Sequence, residues 1–136
     1  MKTIHILLLG LFLIIVSCGT VPTGESAISA LKNEWVLQDV NISQSGLNAE
    51  PITIIFDAEE PNRISGFAGC NWYGGSYTIQ EDIIEFSKVF STKRACPDLD
   101  IESEFLNLLN DVNRFEIRGN NLYLYKDKLV YLHFKK

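Results

Sequence analysis

Residues 65–77 read Ser65-Gly66-Phe67-Ala68-Gly69-Cys70-Asn71-Trp72-Tyr73-Gly74-Gly75-Ser76-Tyr77, and four of these thirteen residues are glycines. Glycine within a strand-like sequence marks a bulge, a sharp bend or a close approach of two backbones. A phosphate-binding loop would require a lysine and a helix directly after the glycines, and neither is present. The stretch is therefore predicted to contain the end of one strand, a bend and the start of the next strand.

The sequence on both sides of this stretch alternates between apolar and polar residues, which is typical of half-buried strands. Before it, Ile52, Ile54 and Phe56 are predicted to face inward, and the chain turns at residues 59–62. The predicted strands are short and antiparallel. They comprise residues 35–40, 52–56, 63–67, 73–79 and 83–86, a continuation over 88–94, and 115–117, 122–125 and 129–134.

One segment has helical rather than strand periodicity. Between Pro97 and Val112 the apolar residues recur at the spacing of an amphipathic helix. They are Ile101, Phe105, Leu108, Leu109 and Val112. Pro97, Asp98 and Asp100 are suitable for the start of this helix, and Glu102 and Glu104 lie in its first turn, where the helix dipole favours negative charge. Strands, one helix and more strands predict an α+β domain.

The last two strands are apolar on both faces. Leu122 and Leu124 alternate with Tyr123 and Tyr125, and the pattern continues through the strand that ends at Phe134. One interpretation places one face on the core and the tyrosines on the other face with their hydroxyls in water. The alternative is a curled sheet whose interior admits an apolar ligand.

The N-terminus has the features of a lipoprotein signal. Lys2 is followed by an apolar run from Ile4 to Val16, and the run ends in Ile15-Val16-Ser17-Cys18. This run is too short for a transmembrane helix, which needs roughly 20 apolar residues. We predict a signal peptide over residues 1–17, acylation of Cys18, a tether over 18–32 and a single domain over 33–136. Gly19 in place of aspartate favours sorting to the outer membrane.

Charge and cysteine content restrict the possible partners. The chain has 12 basic and 17 acidic residues and a formal charge of -5, which disfavours nucleic acid as a partner. With Cys18 assigned to lipid, Cys70 and Cys96 remain as a pair outside the cytoplasm, where disulfides persist. We predict a bond between them. Zinc is the weaker alternative, because neither cysteine has a CxxC companion and the mature chain keeps one histidine, His133.

Taken together, these residues closely resemble the META domain, or HslJ-like, family over residues 33–135. The resemblance rests on an opening Trp35-Val36-Leu37, on residues 66–71 with Tyr73 and 75–77, on Ser91-Thr92 with residues 94–97, and on Leu122-Tyr123-Leu124. A departure is Trp72, where the family more commonly has a polar or basic residue. The resemblance implies a small envelope domain, often on a lipoprotein, with links to heat-shock induction and novobiocin resistance. It also implies a curled antiparallel sheet, a cracked or half barrel, packed on one helix.

No constellation in the sequence indicates catalysis, so we expect a protein that is not an enzyme, without cofactor or metal. His133 lies near the C-terminus in a period-two strand, and no nucleophile with a base is apparent. Asn71 and Arg94 have structural interpretations, a bond to local backbone and a pair with the acidic helix. The alternative is a recognition patch of Asn71, Trp72, Tyr73 and Arg94 around the disulfide.

Three functional classes follow from these expectations. The first is a lipid-anchored envelope protein, expected as a monomer, that acts by binding or by supporting the envelope under stress. The second is a carrier or pilot-like lipoprotein that holds an apolar small molecule in the half barrel. The third is an inhibitor-like module that docks on a secreted enzyme.

Overall fold

Eight antiparallel strands follow one another around a closed ring. The computed structural model describes residues 25–40, 50–96 and 99–136. The strands are β1 (Glu34–Val40), β2 (Thr53–Phe56), β3 (Arg63–Phe67), β4 (Trp72–Gln80), β5 (Ile83–Ser91), β6 (Arg114–Arg118), β7 (Asn121–Lys126) and β8 (Leu129–Lys135). Each strand pairs with its neighbours in sequence, and β8 pairs with β1. The predicted antiparallel sheet is therefore confirmed.

The sheet differs from the predicted half or cracked barrel because the pairing of β1 with β8 closes it. The weakest seam lies between β5 and β6, which pair in register at Ile83 and Arg114. Backbone bonds from Ile84 N to Asn113 O (3.3 Å) and from Phe115 N to Asp82 O (2.9 Å) extend this contact. A small barrel of eight strands is just wide enough for its inward side chains to fill it.

The described residues contain two helices, where the sequence predicted one. They are α1 (Glu25–Leu31) and α2 (Leu99–Asp111). Helix α2 joins β5 to β6, with Phe105 and Leu109 fully buried and Val112 directly after it also buried. The amphipathic stripe predicted for this segment is thus confirmed. Neither helix is long and apolar enough to span a bilayer in the part of the chain that the structure describes.

Helix α1 corrects the tether that was predicted over residues 18–32. Ala27 and Leu31 are buried in the core, and the carbonyl of Leu31 accepts a hydrogen bond from Trp35 Nε1 at 3.0 Å. The small and polar composition of this segment concealed a one-sided apolar pair at i and i+4. The domain therefore begins before residue 33. The predicted signal peptide, Cys18 and the first part of the tether lie outside the described residues.

The core is formed by inward side chains from all eight strands, together with both helices. Its fully buried large members include Trp35, Ile54, Phe56, Ile64, Ile84, Phe105, Leu122, Leu124, Leu132 and Phe134. Ile52 is also buried, so the predicted alternation of Ile52, Ile54 and Phe56 is confirmed. Gly66 permits the close approach of β2 and β3, because a Cβ atom there would lie 2.1 Å from the carbonyl oxygen of Thr53.

The outer face of β6–β8 is covered by stacked aromatic and charged side chains. The guanidinium of Arg114 lies 4.0 Å from the ring centre of Tyr125, whose hydroxyl donates to Glu116 at 2.9 Å. Tyr123 stacks on His133 with ring centres 4.5 Å apart. This supports the interpretation in which one face of the last hairpin meets the core and the tyrosines lie on the other. The hydroxyl of Tyr125 is bonded to a carboxylate rather than left to water.

Candidate functional site

The predicted site residues surround a disulfide that joins two segments distant in sequence. Cys70 lies in the turn between β3 and β4, and Cys96 lies in the segment after β5, with Cα atoms 6.0 Å apart. The predicted Cys70–Cys96 bond is therefore confirmed. Closing a loop of this length stabilises the fold by about 3 kcal/mol, mainly by restricting the unfolded chain. The bond fixes residues 92–96 against the turn.

Asn71 connects the turn to the same segment by hydrogen bonds, and it is only 3% exposed. Its Oδ1 accepts from the backbone nitrogen of Arg94 at 2.7 Å and from Thr92 Oγ1 at 3.0 Å. Its Nδ2 donates to the carbonyl oxygen of Arg94 at 3.1 Å. Because its amide is buried and bonded on both sides, Asn71 supports the surface around the disulfide and is not part of it.

Glu102 completes this network from helix α2, a role that the sequence pattern does not predict. Its Oε2 accepts from the backbone nitrogen of Asn71 at 2.9 Å and from Asn71 Nδ2 at 3.0 Å. From the sequence, the position of Glu102 in the first helical turn is explained by the helix dipole alone. Glu102 lies three residues before Phe105 and seven before Leu109, on the buried stripe of the helix. This spacing is the feature of the sequence that indicates an inward-facing side chain. The network therefore joins three segments of the chain.

Tyr73 is also a structural residue rather than a recognition residue. Its hydroxyl donates to the carbonyl oxygen of Thr53 at 2.9 Å, and its ring packs edge-on against Phe105 with ring centres 5.5 Å apart. Burial raises the pKa of Tyr73 well above its ordinary value of 10.0. The side chain is thus neutral and fixed between β2 and helix α2.

We expect the contribution of Tyr73 to stability to be lost in alkali. Below pH 10 the side chain is neutral in both states; as pH rises above 10 it ionises in the unfolded chain but not in the folded one, so unfolding becomes more favourable. Tyr73→Phe should cost about 1–2 kcal/mol near neutral pH, because Thr53 loses its donor. Above pH 10 that difference should shrink by roughly 1.4 kcal/mol per pH unit.

Urea unfolding at pH 8 and pH 11 measures this difference, with Tyr131→Phe as the control at a half-buried tyrosine elsewhere in the sheet. If the difference in the free energy of unfolding between the wild type and Tyr73→Phe stays the same at both pH values, Tyr73 is not held neutral by burial in the folded protein.

Arg94 is held by the turn rather than by helix α2. Its Nη2 donates to the carbonyl oxygen of Cys70 at 3.1 Å, and its backbone bonds Asn71. Among the described residues, no ion pair joins Arg94 to an acidic residue of the helix, so the predicted pair is not formed. The residue is exposed, which leaves its charge at the surface.

Trp72 and Phe90 are the exposed aromatic side chains of this region. Trp72 is 60% exposed and contacts Phe67 edge-on with ring centres 5.5 Å apart. Phe90 is 64% exposed, and its ring lies against Gly74, its partner in register on β4. Since Trp72 and Gly74 lie two residues apart on one face of β4, the two aromatic side chains are diagonal neighbours.

Three exposed cations accompany these rings. Lys88 occupies a β-bulge in β5 with φ 52°, and Lys93 and Arg94 follow the end of that strand. We refer to Trp72, Phe90, Lys88, Lys93 and Arg94 as the aromatic–basic patch. A cavity of about 350 Å³ adjoins it, and Lys93 and Arg94 line this cavity together with Leu99 of helix α2. Of the predicted patch, Trp72 and Arg94 are at the surface, whereas Asn71 and Tyr73 lie beneath it.

The described residues contain no group of three or more histidine, cysteine, aspartate or glutamate side chains placed to hold a metal ion. No buried side-chain nitrogen or oxygen among them lacks a hydrogen-bond partner. His133 lies on β8, where its Nε2 is 2.9 Å from Asn121 Oδ1, far in sequence from the disulfide. The buried polar side chains around the disulfide therefore form hydrogen bonds that hold the fold.

Comparison with known sequences identifies the family. The family model of the META domain matches residues 29–136. The chain belongs to the META domain family. The match begins within helix α1, in agreement with the burial of Leu31. A search of curated proteins found no match.

Solved structures show the same fold. The structure of a protein from Burkholderia xenovorans, determined by NMR, is 26% identical with a TM-score of 0.62, covering 93% of this chain and 97% of that chain. A DUF4847 family protein from Bacteroides vulgatus is 15% identical with a TM-score of 0.58, covering 77% and 92%. A further NMR structure is 22% identical with a TM-score of 0.58, covering 79% and 92%. The last two similarities concern the fold alone.

Proposed function

We propose that this META domain protein is a lipid-anchored, non-enzymatic component of the cell envelope that acts by binding through the aromatic–basic patch. The observation that carries the proposal is the exposure of Trp72 and Phe90 on a rigid support. The disulfide and the Asn71–Glu102 bonds fix the backbone directly beside them. Exposed aromatic side chains next to arginine are characteristic of binding surfaces.

The envelope location is supported by the sequence. The lipobox ending at Cys18 is the pattern that lipoprotein signal peptidase reads, and Gly19 favours the outer membrane. A disulfide between Cys70 and Cys96 suits an oxidising compartment. The non-enzymatic role is supported by the geometry, because Asn71, Tyr73 and Glu102 are buried and occupied by structural hydrogen bonds.

The anchor is tested by expressing the full chain in a Gram-negative host and weighing the membrane-extracted protein. We expect the mass of residues 18–136 plus acyl chains for the wild type and neither cleavage nor acylation for Cys18→Ala. Gly19→Asp is the matched control, because it should keep the acyl chains while moving the protein to the inner membrane. An unacylated wild-type protein would refute the anchor.

The binding role is tested separately by survival under heat or novobiocin in cells that lack the gene. Trp72→Ala with Phe90→Ala should fail to restore survival although the domain stays folded, since both side chains are exposed. Leu129→Ala is the control, because Leu129 is similarly exposed at the start of β8. Full restoration by the Trp72 and Phe90 variant would contradict a role for the patch.

A further inference from the structure

We infer that the aromatic–basic patch binds the surface of an anionic lipid bilayer, so that one defined face of the domain contacts the membrane. This inference takes the lipid anchor from the proposed function, and it names the partner that the patch binds. Three features of the molecule carry it: the local charge, the nature of the exposed rings and the reach of the chain from Cys18.

The patch is positive on a protein that is negative overall. The chain has a formal charge of -5, yet no acidic residue occurs between Glu85 and Asp98. Lys88, Lys93 and Arg94 fall in this interval and are exposed. The carboxylate of Glu102 lines the adjoining cavity, but its side chain is buried and accepts hydrogen bonds from Asn71. An anionic surface therefore attracts this face and repels the acidic remainder of the domain.

The exposed rings are those that enter a bilayer interface. Trp72 offers an apolar ring with one polar N–H, and Phe90 offers an apolar ring of which the Cζ and Cε1 atoms lie against Gly74. Tryptophan and phenylalanine beside lysine and arginine are the composition of surfaces that bury rings among headgroups and leave cations at the phosphates. Both rings project from the outer face of the barrel, where a bilayer can receive them without a shaped pocket.

The chain between the predicted anchor at Cys18 and helix α1 is long enough for this contact. Seven residues, 18–24, separate the start of helix α1 from the end of the signal peptide and include Cys18 itself. Seven residues span at most roughly 25 Å when extended. That reach is comparable to the length of a strand in the barrel, so the domain can turn its side to the membrane that holds its acyl chains. The adjoining cavity lined by Lys93 and Arg94 then faces the headgroups.

The test uses the full mature lipoprotein, purified from membranes and reconstituted into two kinds of vesicle, phosphatidylcholine alone and phosphatidylcholine with 30% phosphatidylglycerol. Fluorescence is quenched either by brominated lipid in the bilayer or by acrylamide in water. The chain has two tryptophans, and Trp35 is fully buried, so the Trp72→Phe variant gives the Trp35 background. The difference between the two proteins is the signal of Trp72.

We expect brominated lipid to quench Trp72, and acrylamide to lose access to it, in the vesicles that contain phosphatidylglycerol. The double variant Lys88→Gln with Lys93→Gln should bind less. The ratio of molecules whose patch contacts the bilayer to molecules whose patch is in water should fall by roughly 25-fold, at about fivefold for each lysine near an anionic surface. The matched control is Lys32→Gln with Lys128→Gln, which makes the same change in net charge on other surfaces and should leave the ratio unchanged.

Failure of the patch and failure of the anchor give different results. Protein that does not remain with either kind of vesicle contradicts the lipid anchor. Protein that remains on the vesicles while acrylamide still reaches Trp72, and brominated lipid does not, overturns the bilayer contact. Protection of Trp72 in native membranes but not in pure lipid overturns it as well, and assigns the patch to an envelope protein instead.

Discussion

Gly66→Ala is expected to destabilise the domain by at least about 3 kcal/mol and to leave little folded protein, because it overfills the close contact between β2 and β3. The new Cβ would lie 2.1 Å from the carbonyl oxygen of Thr53 and 2.8 Å from Cε1 of Tyr73. The first of these is backbone, so relief requires β2 to move away from β3. That movement would also break the bond from the Tyr73 hydroxyl to Thr53.

The control for this prediction is Gly119→Ala in the turn between β6 and β7. Gly119 has a positive φ of 59°, and a Cβ there would meet no atom within 4 Å. Its substitution should therefore cost only about 1 kcal/mol, the conformational penalty of a non-glycine residue. Urea unfolding followed by circular dichroism compares the two variants. Equal losses of stability would show that the close approach at Gly66 is unimportant.

Asn71→Ala is expected to lower the free energy of unfolding by about 2–4 kcal/mol. The substitution removes one amide and leaves the backbone N–H and carbonyl of Arg94 without their partner, while the carboxylate of Glu102 keeps the bond from the backbone nitrogen of residue 71 and loses the one from the side chain. A buried donor or acceptor that loses its partner costs about 1–3 kcal/mol, so the loss of several bonds at one site has a large effect. The disulfide continues to join the two segments, so the loss should appear as reduced stability rather than as a different fold.

A double-mutant cycle with Glu102→Ala separates this network from simple loss of packing. Once Asn71 has been replaced, removing Glu102 should cost less than it does in the wild type, because the bond between Glu102 and the Asn71 amide has already been lost. Glu102→Gln is the conservative variant, which keeps the shape and an acceptor oxygen. Thermal melting of the four proteins of the cycle measures the coupling. Strictly additive losses would show that the two residues do not act together.

Local periodicity predicted most of the secondary structure. Strands β3 and β6 follow from alternation, and helix α2 follows from a helical stripe. The Cys70–Cys96 pairing followed from the compartment and the cysteine count. Each of these signals lies within a short window of sequence, or in a count of one residue type, which is why sequence reasoning could reach it.

The features that escaped prediction depend on pairs of residues that are distant in sequence. The partners Asn71 and Glu102 are 31 positions apart, and nothing local indicates that they meet. Period two from Ile84 and Phe86 would turn Phe90 inward, but the bulge at Lys88 shifts the alternation and exposes it. The closure of β1 on β8 likewise depends on a register that neither strand encodes alone.

The closed ring, with its strands in sequence order, also bears on how the chain is made. Seven of the eight strand pairings join neighbours in the sequence, so each can form as soon as the second strand has been synthesised. The eighth joins β8 to β1 and must wait for the last strand. A nascent chain that stops before residue 129 has two open strand edges, on β7 and on β1, and open edges of this kind invite aggregation. Residues 129–135 therefore protect the product of translation as well as complete its structure.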